Sequence, residues 1–314
     1  MQGSGIIVLG AGLAGTSCAG LLARAGQPVR IIDKGRGIGG RMATRRVMLE
    51  AGTISFDHGA QYLRPRDPAF QAALVAAGAM PWGDAGDRFV GTPSMPDIPR
   101  ALAAGVQVTG QTEITRLTRD GDLWHLTGPD THLQARRVIL TIPAPQALRL
   151  LGPDNPLAPA LAQVIMTPCL TLMAAFPRGA AQPFSHRLDP DHPLAWIAQD
   201  SSKPGRSLDA VTWVAQASDA FSKHHLESPA DALAAQMLPM LCNVIGADPQ
   251  TALHARTHRW RYARAARPLG QPFVQDAARS LYLGGDWCLG ARAEHAWHSG
   301  QAIARDVLAH ADVA

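Results

Sequence analysis

Two short apolar runs with an amphipathic segment between them stand at the start of the chain. Residues 6–9 form a continuous apolar run, which is typical of a strand covered on both faces. The next segment, residues 13–25, places its apolar residues on one helical face, and Gly26 ends it. A second apolar run, residues 29–32, leads directly into Asp33. The pattern predicts a strand, a helix and a second strand, the βαβ unit of a parallel sheet.

The joint between the first strand and the helix is rich in glycine. At such a joint the first glycine permits a tight turn, the second lets the backbone approach a pyrophosphate, and the third lets the helix pack closely on the sheet. The unpaired N–H groups of the helix N-terminus attract the phosphates, and an acid after the second strand accepts hydrogen bonds from the ribose hydroxyls. The sequence therefore predicts a dinucleotide site formed by Gly10, Gly12, Leu13, Ala14, Gly15 and Asp33.

The loop after Asp33 distinguishes between two dinucleotides. A domain that binds NAD normally continues straight into its next helix, whereas this chain has the run KGRGIGGRM at residues 34–42. Such a loop offers backbone N–H groups and guanidinium groups to a second stretch of phosphate. It favours FAD, with contacts expected from Lys34, Arg36, Gly40, Arg41 and Met42.

The middle of the chain predicts a β-meander followed by a second unit. Strands are expected at residues 105–108, 113–117, 123–126 and 137–141, with turns at 118–122 and 128–131. Pro143 and Pro145 then end the last of these strands. Beyond residue 147, half-buried strands are expected at 169–176, 194–200, 210–217 and 257–263. A helix is predicted from Ser228 to Gly246, with Ser228 as its N-cap and Pro229 at the first helical position.

These elements predict an α/β protein: a Rossmann-type FAD-binding domain with a β-meander, plus an α+β substrate domain built on an antiparallel sheet. The FAD-binding domain is discontinuous, with residues 1–62, 98–146 and 276–314, and the substrate domain comprises residues 63–97 and 147–275. A last helix is expected to begin near Glu294, because apolar residues recur at helical spacing through Ala296, Gly300, Ile303, Ala304, Val307 and Leu308.

The segment HRWRY at residues 258–262 alternates aromatic and basic side chains. At the period of a strand, His258, Trp260 and Tyr262 share one face, and Arg259 and Arg261 share the other. An aromatic face opposite a flavin would sandwich a flat substrate, and the nearby arginines could meet its phosphates. The alternative is a core face with a solvated basic back.

Composition excludes several classes of function. The 314-residue chain is 46% hydrophobic and 17% charged, as in soluble globular proteins, and its net charge of +4 is too mild for a nucleic-acid footprint. Its apolar runs fall short of the ~20 residues of a membrane span. Its four cysteines show no CxxC pair and are expected to be reduced thiols in a cytoplasmic protein. The histidine pairs offer no third ligand at a credible spacing, so no metal site is predicted.

The arrangement from Asp33 to Arg41 and the segment DHGAQY at residues 57–62 resemble signatures of the amine-oxidase-like flavoproteins. Within that group the chain is similar to the bacterial renalases over nearly its whole length. The matching pieces are IIVLGAGLAGTSCAGLLARAG, DKGRGIGGRMATRR, DHGAQYL, GTPSM, TIPAPQA, SSKPGR, HRWRYARA and GGDWCLGARAEHAWHSGQ. One departure is Ser94, where the family loop usually carries glycine.

The resemblance implies how a non-covalent FAD is held. Gly285 and Asp286 bind the ribityl chain, and the backbone of Ile114 meets the adenine. Ala60 and Gln61 reach the flavin, and the helix that carries Glu294 and Ala296 points its N-terminus at the pyrimidine end of the ring. Because Cys288 is expected to be a core thiol, covalent attachment is not predicted.

The resemblance also implies an activity: an FAD-dependent oxidase that converts 2- and 6-dihydro isomers of NAD(P) to NAD(P)+ and reduces O2 to H2O2. The chemistry occurs on the flavin, so no catalytic side chain is expected. The residues expected to position the pyridine dinucleotide are Gln61, Tyr62, Thr92, His258, Trp260, Trp287, Arg292 and Trp297.

Two other functions stay open: a flavin-containing amine oxidase and a non-catalytic FAD-binding protein. Amine oxidases commonly keep a lysine bound through water to flavin N5, late in the substrate domain. Lys34, Lys203 and Lys223 are the only lysines of the chain, and none lies in a strand near the C-terminal flavin motifs. This distribution favours the dihydropyridine oxidase.

Overall fold

The computed structural model describes residues 4–50, 52–83 and 85–310. The strands are β1 (Ser4–Leu9), β2 (Val29–Ile32), β3 (Thr44–Leu49), β4 (Gly52–Asp57), β5 (Met80–Pro81), β6 (Phe89–Val90), β7 (Gln107–Thr109), β8 (Arg116–Asp120), β9 (Leu123–Gly128), β10 (Thr131–Leu140), β11 (Ile165–Phe176), β12 (His186–Leu188), β13 (Trp196–Gln199), β14 (Val211–Gln216), β15 (His254–Arg267), β16 (Phe273–Gln275) and β17 (Leu281–Gly284). The helices are α1 (Leu13–Arg24), α2 (Pro68–Ala76), α3 (Asp97–Leu102), α4 (Ala144–Leu151), α5 (Ala158–Ala162), α6 (Asp219–His224), α7 (Ala230–Ile245) and α8 (Ala293–Ala309).

A mixed sheet forms the first layer of the molecule. Its centre is parallel, in the order β17-β10-β1-β2-β7, and β16 pairs antiparallel with β17 at one edge. The antiparallel strands β8 and β9 extend it from β10 as the meander. Leu9 at the end of β1 pairs with both Ile32 and Leu140, so the dinucleotide joint leaves the sheet between two parallel neighbours. The predicted fold class is confirmed.

Two glycines set how closely the helices approach this sheet. A Cβ on Gly15 would lie 2.0 Å from the carbonyl oxygen of Gly10, and one on Gly300 would lie 2.2 Å from that of Ala14. Since real Cβ contacts are not this short, α1 packs against its own turn, and α8 packs against α1, only because both positions are glycine. Gly12 is different, because a Cβ there would meet no atom within 4 Å.

An antiparallel sheet forms the second layer, in the order β12-β13-β14-β11-β15. The expectation of half-buried strands is wrong for β11, β13 and β14, which are buried on both faces. The helix α7 covers one face, and the hairpin of β3 and β4 covers part of the other, where Ile54 and Phe56 pack against Met173 and Val214. The alternation of apolar and polar residues did not reveal that this hairpin covers the other face, because the hairpin comes from the first 57 residues of the chain.

The residues at which the chain passes from one sheet to the other differ from the predicted domain limits. Phe273–Gln275 was assigned to the substrate domain but forms β16 of the first sheet. Pro143 and Pro145 do more than end a strand: Pro143 is the N-cap of α4, and Pro145 lies in its first turn. That helix packs back on the first sheet, because Ala144 and Ala147 lie in the same apolar cluster as the sheet residues.

Several element limits differ from prediction; the strand expected at 105–108 as part of the meander, for example, is β7 at Gln107–Thr109 and pairs parallel with β2. The strand expected at 113–117 begins at Arg116 and continues to Asp120, because its partner β9 pairs with it as far as Leu123. The helix expected from Ser228 begins at Ala230, with Pro229 as its N-cap. Pro229 has a ψ of 144°, which is extended rather than helical, and Gly246 ends the helix in the left-handed conformation as expected.

All four cysteines are free and buried. No helix among the described residues has the length and apolar character that crossing a membrane requires. Within the same residues, no three His, Cys, Asp or Glu side chains group closely enough to hold a metal ion.

The contact at Gly15 predicts a stability effect. We expect Gly15→Ala to lower the free energy of unfolding by about 1–3 kcal/mol, because the methyl group must push α1 away from the Gly10 turn. Gly179→Ala is the matched control, since its Cβ would meet no atom within 4 Å. Urea unfolding of the two variants measures the difference, and equal stabilities would contradict the packing role of Gly15.

Candidate active site

A cavity of about 1210 Å³ lies between the two sheets and brings together motifs from both ends of the chain. This volume exceeds the roughly 300–1,000 Å³ of most small-molecule sites. The lining includes most of the residues predicted to hold a cofactor: Gly10, Gly12, Leu13, Ala14, Asp33, Lys34, Gly40, Arg41, Met42, Ala60, Gln61, Ile114, Gly285, Asp286, Glu294 and Ala296. Gly15 lies behind the turn in its packing role, and Arg36 is exposed and does not line the cavity.

One end of the cavity is built for phosphate and ribose. The N-terminus of α1 has no side-chain cap, and the space beside Gly12 is open. Such an end presents N–H groups and the positive end of the helix dipole. The carboxylate of Asp33 is fixed beside it, accepting hydrogen bonds from the backbone N–H groups of Ala11 and Gly35, both at 2.6 Å.

An ion pair joins the two glycine-rich motifs across the cavity. The Arg41 guanidinium donates from Nη1 to Oδ2 of Asp286 at 2.8 Å and from Nη2 to Oδ1 at 2.5 Å. Nη1 also donates to the carbonyl oxygen of Ala263 on β15, at 3.0 Å. The side chains of Arg41 and Asp286 are 30% and 8% exposed, so solvent screens the pair only in part. This contact connects the first loop, the C-terminal joint and the second sheet.

Residues 59–62 form a second wall, held by backbone contacts. The Ala60 N–H donates to the carbonyl oxygen of Arg41 at 2.8 Å, and a Cβ on Gly59 would lie 1.9 Å from the same oxygen. The side-chain amide of Gln61 donates to the carbonyl oxygens of Asp57 and Gly59. Gln61 therefore fixes the shape of this segment as well as lining the cavity.

Aromatic side chains form the wall contributed by the second sheet. The Trp260 ring stacks on His58 with centroids 5.2 Å apart and meets the His258 ring at 4.4 Å. Its indole N–H donates to the His58 carbonyl oxygen at 2.8 Å. Burial, with a smaller contribution from nearby Arg45, lowers the pKa of His58 to about 4; burial, His58 and Arg45 lower that of His258 to about 4 as well. Both imidazoles are therefore neutral at pH 7.

Tyr262 lines the same cavity as His258 and Trp260, at an irregularity of β15. Thr167 pairs with Arg264 and Cys169 pairs with Trp260, so β15 carries a bulge between these two positions. Tyr262 lies in this bulge, and its hydroxyl oxygen accepts a hydrogen bond from Arg149 of α4. On the other face, Arg259 and Arg261 pair with the exposed Glu227, which matches the solvated basic back of the alternative prediction, although both also line the cavity rim.

The last helix approaches the cavity with its N-terminus. It begins at Ala293, and its N-cap, Arg292, forms no side-chain cap. The Glu294 carboxylate accepts hydrogen bonds from the backbone N–H groups of Arg66 and Asp67, both at 2.7 Å. The Glu294 side chain thus anchors the rim segment 64–67, whereas the start of the helix lines the cavity.

The family follows from comparison with known proteins. A family model described as flavin containing amine oxidoreductase matches residues 83–308, and one described as an NAD(P)-binding Rossmann-like domain matches residues 8–76. The chain belongs to the flavin-containing amine oxidoreductase family. It is a flavin-dependent oxidoreductase.

Solved structures share the fold of this oxidoreductase at low identity. A putative protoporphyrinogen oxidase from Exiguobacterium sp. 255-15 has a TM-score of 0.74 at 13% identity, covering 98% of this chain and 99% of that one. Wild-type putrescine oxidase bound to putrescine has a TM-score of 0.71 at 14% identity, covering 98% and 99%. Cyclohexylamine oxidase from Brevibacterium oxydans IH-35A has a TM-score of 0.72 at 13% identity, covering 99% and 100%.

Three residues expected to contact the substrate of this oxidoreductase lie elsewhere. Trp287 is fully buried in the core of the first sheet, where its indole N–H donates to the Ile142 carbonyl oxygen at 3.1 Å. Trp297 packs on Phe70 with ring centroids 5.5 Å apart. Thr92 faces Gly205, since a Cβ on that glycine would lie 2.8 Å from the Thr92 methyl group. None of the three lines the cavity, whereas Gln61, Tyr62, His258, Trp260 and Arg292 do line it.

Four buried charged residues were missed by the sequence reading. Asp57, Asp200, Lys203 and Arg206 form a network whose side chains are 0–2% exposed. Lys203 Nζ lies 2.5 Å from Asp200 Oδ1 and 3.2 Å from Asp57 Oδ2, and Arg206 Nη2 lies 2.5 Å from the same Asp57 oxygen. Burial opposes ionisation of Asp57, but Lys203 and Arg206 outweigh it and hold the Asp57 pKa below its usual value. The signal in the sequence was three charges at three-residue spacing within 200–206.

This network supports the cavity from behind. Asp57 directly precedes the segment 58–62, and Arg206 donates from Nη1 to the carbonyl oxygens of Gly91 at 3.0 Å and Pro93 at 2.5 Å. The loop that carries Thr92 and Ser94 is therefore packed over the network rather than over a substrate. Ser94 itself donates to Asp97 at 2.6 Å, which closes that loop onto the start of α3.

Removing one member of the network should be costly. We expect Lys203→Met to lower the free energy of unfolding by about 3–5 kcal/mol, because Asp57 and Asp200 would be left buried with one cation between them. Lys223→Met, on the exposed side of α6, should change it by less than about 0.5 kcal/mol. Chemical denaturation compares the two, and a small loss for both would show that the network does not stabilise the fold.

Proposed function

We propose that the chain binds FAD non-covalently and oxidises 2- and 6-dihydro isomers of NAD(P) to NAD(P)+, with O2 reduced to H2O2. The observation that carries the proposal is the neutral aromatic wall of His258 and Trp260, which faces the same cavity as the dinucleotide motifs. When bound, FAD supplies the two-electron acceptor that takes hydride from the substrate and passes the electrons to O2.

The cavity residues fit an FAD. The open space beside Gly12 and the uncapped N-terminus of α1 suit its pyrophosphate, and the fixed carboxylate of Asp33 suits its adenosine ribose. Asp286 and Arg41 lie together where the two glycine-rich motifs meet, and they would hold the ribityl chain and the phosphates between them. The N-terminus of α8 would stabilise negative charge on the ring by roughly 0.3–2 kcal/mol.

The residues on the substrate side suit positioning rather than proton transfer. Hydride leaves a dihydropyridine ring carbon with its electrons, so the ring carbon needs no acid or base, only stacking and close approach. Trp260, Tyr62 and Trp196 offer flat surfaces, with the Tyr62 and Trp196 ring centroids 5.2 Å apart. With both histidines neutral, His258 adds surface without a charge.

The lysines favour this substrate over an amine. Lys203 is fully buried in the charged network and does not line the cavity, and Lys223 is exposed on α6. Among the described residues, Lys34 is the lysine that lines the cavity, and it lies at the ribose end, 3.8 Å from Glu113. The described residues thus offer no lysine to hold a water at the ring, as amine oxidases commonly do.

The cysteines support non-covalent binding. Cys288 is fully buried outside the cavity, and burial raises its thiol pKa to about 12. Cys169 lines the cavity, but burial raises its pKa too, and a protonated thiol is a poor nucleophile.

Acid precipitation tests the attachment. We expect all flavin absorbance to remain in the supernatant when the purified holoenzyme is precipitated with acid, and the supernatant to contain FAD by chromatography. Flavin in the pellet would contradict non-covalent binding, and the Cys169→Ala and Cys288→Ala variants would then identify the attachment site.

Anaerobic flavin absorbance tests the proposed activity. We expect rapid bleaching on mixing with 2- and 6-dihydro-NAD(P), little with a panel of primary and secondary amines, and stoichiometric H2O2 when air is admitted. Bleaching by an amine alone would assign the amine oxidase activity that family membership also allows. Bleaching by dithionite only would indicate a non-catalytic FAD-binding protein.

A further inference from the structure

Arg149 stands apart from the other basic residues that line the cavity. The other basic residues each have a carboxylate within 4 Å. They are Lys34, Arg41, Arg64, Arg259, Arg261, Arg264 and Arg292. Arg149, on α4, has no such partner among the described residues, although it lines the same cavity. An incoming anion could therefore bind the Arg149 guanidinium without first displacing a carboxylate.

The hydrogen bond between Arg149 and Tyr262 leaves donors available. Arg149 Nη1 donates to the Tyr262 hydroxyl oxygen at 3.2 Å, and the guanidinium carbon lies 5.8 Å from the ring centroid. A guanidinium has five N–H donors, and a hydroxyl oxygen that accepts one hydrogen bond still has its own hydrogen to donate. The remaining N–H groups and this O–H can therefore serve one anion, and the planar guanidinium suits the two oxygens of a phosphate.

The bulge of β15 places this pair beside the aromatic wall. Tyr262 follows Trp260 by two residues within the bulge; both line the cavity, and the Tyr262 hydroxyl contacts Arg149 of α4. Gln146 and Leu150 of the same helix also line the cavity. An anion held by Arg149 would thus lie toward the α4 side of the ring stacked on Trp260.

We propose that Arg149 and Tyr262 form an anion subsite that binds a phosphate of the substrate. This inference rests on the proposed function, since it identifies the part of a dihydropyridine nucleotide that the site selects. It makes the phosphorylated nucleotide, rather than the dihydropyridine ring alone or a cationic amine, the preferred substrate. The Arg259 and Arg261 guanidiniums, which are the other candidates for this role in the sequence, are already matched by Glu227.

The test compares substrates with and without phosphate. The holoenzyme and its variants are mixed anaerobically with 2- and 6-dihydro forms of nicotinamide riboside, nicotinamide mononucleotide and NAD, and the rate of flavin bleaching is followed against substrate concentration. Arg149→Gln removes the charge, and Tyr262→Phe removes only the hydroxyl. Arg178→Gln is the matched control, because Arg178 is exposed and does not line the cavity.

We expect Arg149→Gln to raise the half-saturating concentration of the mononucleotide and of NAD by roughly 10- to 100-fold, with the maximal bleaching rate and the riboside values unchanged. Tyr262→Phe should raise it by roughly 2- to 10-fold, and Arg178→Gln should match the unaltered chain. Equal concentrations for Arg149→Gln and the unaltered chain, or a loss that includes the riboside, would overturn the subsite while leaving the proposed function intact.

Failure of the proposed function would look different. In that case none of the isomers bleaches the flavin of the unaltered chain. The subsite is then measured by titrating NAD+ and inorganic pyrophosphate against flavin fluorescence. Weaker binding in Arg149→Gln alone would still support an anion site, whereas equal affinities, or binding to neither protein, would overturn it.

Discussion

The buried pairing of Asp57 and Asp200 with Lys203 and Arg206 constrains everything around it. Charges removed from water are tolerated only when each is matched in close geometry. Here the four charged residues come from β4 and from the turn after β13, and carbonyl oxygens of the loop at 91–95 accept further hydrogen bonds from Arg206. These three segments are fixed relative to one another, because moving one would leave a buried charge without its partner. The segment 58–62 begins directly at this network, so the position of the wall beside the flavin motifs follows from it.

At the front of the cavity, the ion pair of Arg41 with Asp286 likewise holds distant segments together. Through the Ala263 carbonyl oxygen, Arg41 also touches β15 of the second sheet. The buried charge network lies behind the segment 58–62, and the Arg41–Asp286 pair lies in front of it. Both connect residues that are far apart in the sequence. The cavity is therefore a product of the packing of the two layers rather than a feature of either sheet.

The features predicted best from the sequence are those that depend on local backbone conformation. Gly10, Gly12 and Gly15 have distinct roles within one turn, and the structure gives Gly15 the close contact and Gly12 the open space that the spacing implied. Prediction from the sequence failed where the position of a side chain depends on segments that are distant along the chain. Trp287 and Trp297 occur in a motif associated with the flavin, but which face of a short turn or helix meets the cavity is decided by the packing of the first sheet. The bulge of β15 at Tyr262 was not predicted either, because it leaves no clear mark in the residue types.

Two helix N-termini without side-chain caps converge on the cavity, at Gly12 and Arg292. Their N–H groups and dipole ends are available to an anionic group of the cofactor. Ligand binding to the folded state adds to its stability by mass action, by about 2.7 kcal/mol when free ligand is at 100 times its dissociation constant. The folded fraction of this protein in a cell is therefore tied to the supply of flavin, and a shortage would reduce the amount of protein as well as its activity.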